Sequence, residues 1–124
     1  MRLRKLLLLI PLSLLIGCQP IERQAYNTVV ASKAFLDSVK VAHPECPAAT
    51  SALCSVLTRA TAAKDVLIDA GEAYCNVAQF DASDTTPCNP PAKGTPAYQQ
   101  VFDRLQSAMS IYKLTESDLK GAIQ

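Results

Sequence analysis

A single histidine, His43, supplies all the imidazole in this chain of 124 residues. That scarcity limits its chemistry. A serine- or cysteine-type hydrolase needs a nucleophile, a base and a group that orients the base, and His43 stands beside Pro44, where a helix ends, with none of those partners next to it in sequence. The bland assignment is a solvated histidine at a helix end. No Cys-x-x-Cys occurs for thiol exchange, and no Cys-x-x-Cys-His for covalent haem. The four glycines make no phosphate-cradling loop. Asp81, Ser83 and Asp84 are not followed by the glycine and closing glutamate of a calcium loop. Alternating apolar and polar residues, the signature of strands, are missing over any useful length, and no internal repeat is visible. These absences give no support to an enzyme, and no cofactor or metal is expected.

What is present begins at the amino terminus. Met1-Arg2-Leu3-Arg4-Lys5 carries three basic residues and no acidic one, and Leu6 to Ile16 is apolar apart from Pro11 and Ser13. A basic start followed by a short apolar run is the layout of a signal peptide, too short to sit comfortably as a permanent span. The run ends in Leu15-Ile16-Gly17-Cys18. This tetrad resembles the lipobox of bacterial lipoproteins. The resemblance implies that the Cys18 thiol receives a diacylglycerol, that cleavage follows Gly17, and that the new amino terminus can be acylated in turn. Thiols are strong nucleophiles, and two or three acyl chains suffice for stable anchoring where one does not. Gln19 stands where an aspartate would resemble an inner-membrane retention signal, so the resemblance implies an outer-membrane lipoprotein facing the periplasm, with surface exposure left open. It covers about a sixth of the chain and says nothing of residues 19–124.

Cleavage would remove residues 1–17 and leave a lipidated tether at 18–23 and a single domain at 24–124, enough for one modest core. The precursor's formal charge of +1 is then misleading, because Arg2, Arg4 and Lys5 depart with the signal and nine basic residues remain against eleven acidic ones. A mixed, slightly acidic surface gives no reason to expect nucleic acid as a partner.

Four cysteines accompany the anchor: Cys46, Cys54, Cys75 and Cys88. An even number in a small exported domain reads as two disulfides. Zinc sites usually bring cysteines in close pairs, whereas the gaps here are eight, twenty-one and thirteen. His43-x-x-Cys46 is a weak ligand signal.

The mature chain reads as three helices. From Ile21 to His43, residues Ala25, Val29, Ser32, Leu36 and Val39 recur at helical spacing, and Pro44 stops the run. From about Ala48 to Phe80 a second, unusually long helix is predicted, with Thr50 or Ser51 as cap and a stripe through Leu53, Val56, Ala60, Ala63, Leu67, Ala70, Tyr74 and Val77. Gly71 marks either loosened last turns or a close contact. Residues 81–95, rich in Asp, Ser, Thr and Pro, read as a loop and as a candidate contact surface. Thr95-Pro96 opens a third helix to about Lys120, with Leu105, Ala108, Met109 and Tyr112 facing inward; Thr115 or Ser117 is expected to disturb its end.

The expected fold is all-α, a three-helix antiparallel bundle. Cys46 and Cys54 would then meet at one end and Cys75 and Cys88 at the other. Crossed pairs would have to bridge about 30 Å of helix. Asp65, Asp69 and Glu72 share a strip of the second helix and read as a solvent face. Four functions remain open. The leading one is a non-enzymatic envelope lipoprotein bound to the bilayer through Cys18 and acting through a protein partner, in an accessory or structural role. The second is a protective lipoprotein, an enzyme inhibitor or phage-exclusion factor using the 81–95 loop. The third is a ligand-binding bundle with a cavity beside Tyr74 and Tyr112, and the fourth an enzyme.

Overall fold

The computed structural model describes residues 20–48, 50–80 and 87–124. Cys18, the signal segment and residues 81–86 of the loop lie outside them. Three helices make up the described chain: α1 (Ile21–Ala42), α2 (Ala52–Cys75) and α3 (Pro96–Ile123). They pack as a helical bundle, and the described residues contain no strand.

α1 starts directly after Pro20, so Ile21 to Arg23, at the end of the expected tether, already form its first turn. It buries the five residues of its predicted face, Ala25, Val29, Ser32, Leu36 and Val39. Ser32 is tolerated there because its hydroxyl donates to the Val29 carbonyl at 2.7 Å, which satisfies the polar group locally.

α2 is shorter than the pattern suggested, 24 residues rather than a run to Phe80. At its start Ser51 caps the helix, its hydroxyl accepting from the Cys54 amide at 3.2 Å. At its end Asn76 takes a left-handed conformation (φ 54°). The amides of Asn76 and Val77 both turn back to the Glu72 carbonyl. A left-handed residue after the last turn is a common way to satisfy the final carbonyls and end a helix. The apolar residues beyond it fold back instead of continuing the rod. Phe80 is buried, with its ring against Gly71, where an added Cβ would lie 2.5 Å from the Phe80 Cδ1. Gly71 therefore marks a close approach.

α3 is longer than expected and unbroken. Thr95 caps it, accepting from the Tyr98 amide, and Pro96 occupies the first turn. Thr115 does not disturb it, because its hydroxyl donates to the Ile111 carbonyl one turn back. Leu119 is fully buried and holds the last turns on the core. Glu116 and Lys120 pair at 2.8 Å, and the Lys120 ammonium sits 5.4 Å from the Phe35 ring of α1.

α2 is the central helix. Its alanines (60, 63 and 70) are buried and allow close packing, with the broadest contact along α3. α1 leans mainly on α2 and touches α3 only lightly. The wedge between α1 and α3 is a shallow groove of about 370 Å³ lined by Ile21, Gln24, Phe102, Gln106 and Met109 among others. The disulfides pair Cys46 with Cys54 and Cys75 with Cys88, as the bundle requires. Each joins an end of α2 to the connection beside it. No helix among the described residues is long and apolar enough to cross a membrane.

Candidate functional site

An apolar concavity lies where α1 ends and α2 begins. The Cys46–Cys54 bridge pins the connecting turn against the first turns of α2. Beside it, Lys40, Pro47, Leu57, Thr58, Thr61 and Ala62 line a groove of about 520 Å³, with Cys46 and Asp65 completing its wall. The volume is within the range of small-ligand or side-chain sites.

Its chemistry follows from its residues. The Thr58 hydroxyl donates to the Cys54 carbonyl and the Thr61 hydroxyl to the Leu57 carbonyl, each one turn back. The two threonines therefore offer mainly methyl groups, next to the Leu57 side chain and the Pro47 ring. Lys40 and Asp65 supply one charge of each sign at the edge, and Asp65 is paired with Lys64 at 3.4 Å. An apolar floor with opposite charges at its rim suits an apolar side chain carried on a polar segment.

His43 lies just outside this groove, in the turn after α1. Its Nδ1 is 3.2 Å from Glu45 Oε1, an ion pair when the imidazole is protonated. The Glu45 carboxyl is held below its ordinary value, first by its own backbone amide and then by the hydrogen bond from His43. The Glu45 carboxylate lies with the Cys46 and Cys54 sulfurs within 4.8 Å. Both sulfurs are committed to the disulfide, so the group offers no thiolate to a metal.

Asp65 and Asp69 are exposed and Glu72 is half-buried on α2, in keeping with a solvent strip. Met109 is buried in the core. Comparison of the chain with protein-family models, curated proteins and solved structures returns no match.

Tyr74 and Tyr112, beside which a ligand-binding bundle would need a cavity, are packed inside the bundle. Tyr74 donates a hydrogen bond to the Tyr98 hydroxyl at 3.4 Å. Tyr112 is fully buried, and its hydroxyl has no hydrogen-bond partner of good geometry. Both phenols are pushed above their ordinary value. Burial is the main cause for each, reinforced by the Tyr98 hydroxyl for Tyr74 and by the nearby Glu116 charge for Tyr112.

The apolar pattern of the sequence does not mark Lys40, Pro47, Thr58, Thr61 and Ala62 as a site. A signal was available: Thr58, Thr61, Ala62 and Asp65 follow the spacing i, i+3, i+4, i+7, a second strip beside the alanine stripe. Its residues are too polar to register as core, and only the neighbouring turn makes the strip concave.

Proposed function

We propose that this protein is a membrane-anchored lipoprotein, acylated at Cys18, that acts by holding a protein partner rather than by catalysis. The observation that carries the reading is the apolar groove beside the Cys46–Cys54 staple. It lies at the end of α1 away from the tether. With Cys18 two residues before Pro20, the start of α1 is held at the bilayer and the groove projects from it. Anchor, rigid rod and presented contact surface are the parts of an accessory subunit, which supports this role over the others.

The test is site-specific photocrosslinking in cells. A photoreactive residue is placed at Thr61 or Ala62 in the groove, and at Leu114, 68% exposed on α3, as a control. A discrete adduct from the groove positions and not from Leu114 is expected. It should disappear when residues 1–18 are replaced by a cleavable secretory leader. Equal labelling from both faces, or none from the groove, would overturn the assignment.

A further inference from the structure

The end of the bundle opposite the groove has its own character. Five of the seven aromatic residues, Tyr26, Tyr74, Phe80, Tyr98 and Phe102, gather there. Tyr26 meets Phe80 edge-on at 6.1 Å between ring centroids, Tyr74 meets Tyr98 at 5.9 Å, and Tyr98 stacks on Phe102 at 5.7 Å. The cluster ties the start of α1, the return after α2 and the start of α3 into one surface. Tyr26, Tyr98 and Phe102 are only partly buried, as are Ile21 and Val77, which pack against the same core. The charged residues on these segments include Glu22, Arg23, Glu72, Lys93, Asp103 and Arg104, of mixed sign, and Asp81 and Asp84 follow Phe80 in sequence. Among the described residues no basic cluster gathers there to attract anionic headgroups.

We infer that this aromatic end is a lipid-contact surface, seated in the interface of the bilayer that holds the anchor. The inference rests on the proposed acylation of Cys18. Its structural basis is the shortness of the tether. Three residue steps separate Cys18 from Ile21, a reach of about 10 Å at full extension, so this end cannot leave the surface once Cys18 is lipidated. Tyrosine and phenylalanine, with apolar bodies and in tyrosine a polar tip, favour that depth. Mixed charge makes the contact apolar in origin and only weakly dependent on salt or lipid charge. The bundle stands end-on, with the Lys40–Asp65 groove facing away.

The chain contains no tryptophan, so a single introduced one reports without background. The mature protein is purified from membranes, the mass of its amino-terminal peptide is measured, and it is placed in phosphatidylcholine vesicles containing lipids brominated near the headgroup. Tyr26→Trp and Tyr98→Trp report on the aromatic end, and Val41→Trp, 82% exposed near the end of α1, on the distal end. Circular dichroism confirms that each variant folds. The expected result is that both proximal tryptophans lose at least about half their emission, as for side chains 5–10 Å into the interface, while Val41→Trp is unaffected. Equal quenching at both ends, or none at the proximal end, would overturn the seating. The peptide mass reports on acylation separately. If Cys18 carries no acyl chain, the anchoring reading fails, and the seating is measured after coupling a maleimide lipid to Cys18, the one cysteine outside the two disulfides.

Discussion

At the scale of single residues, Gly71 and two tyrosines make the sharpest statements. Alanine at position 71 would improve helix propensity by about 1 kcal/mol, but its Cβ would fall 2.5–2.6 Å from three atoms of the buried Phe80 ring. Ring atoms next to the backbone cannot swing aside cheaply, so overpacking wins. Gly71→Ala should destabilise by about 1–3 kcal/mol in urea denaturation, and the same change made in a Phe80→Ala background should cost much less. Tyr74 and Tyr112 govern the alkaline limb. Their folded values lie above the ordinary one of about 10, so their contribution is fully present below pH 10. It is lost as pH rises through the folded values, because the unfolded chain ionises first. Urea midpoints should therefore fall above pH 10, and a Tyr74→Phe, Tyr112→Phe double variant should flatten that decline. If the double variant declines as steeply, the buried phenols are not its cause.

At the scale of elements, the ends of α2 decide its length. The alanines before it and Val77 to Phe80 after it would have carried the helix further, but Ser51 caps one end and Asn76 turns out of the other. Each end is also bridged by a disulfide. Replacing Cys75 and Cys88 together by serine should lower stability by about 3 kcal/mol through the freed unfolded chain, measured as a fall in the urea midpoint. The larger local change should be in hydrogen exchange at the α2 terminus, since the Asn89 amide bonds the Cys75 carbonyl and that return would loosen. Uniform loss of protection along α2 would count against a local staple. The helix lengths also show where periodicity stops informing. Val77 and Phe80 fit the stripe of α2 as well as Tyr74 does, and only the left-handed Asn76 separates them.

At the scale of the molecule, the two ends of the rod are different surfaces. One carries the aromatic cluster beside the start of α1; the other carries the apolar groove beside the Cys46–Cys54 bridge. On the proposed acylation of Cys18, replacing residues 1–18 by a cleavable secretory leader should release the folded protein into the soluble fraction. Fractionation and immunodetection check it, and protein that stays with the membrane would place the anchor elsewhere. Sequence alone determined the helical class, the buried face of α1 and the two disulfides, because helical periodicity and the length of α2 leave few ways to bury the stripes and join the cysteines. The lipobox-like tetrad, too, is a linear signal. Tertiary structure decided the end of α2, the Gly71–Phe80 contact, the light touch between α1 and α3, and the groove. Each depends on which surfaces from distant parts of the chain face one another, and polar residues such as Thr58 and Thr61 become the wall of an apolar site only when a turn from elsewhere is placed beside them.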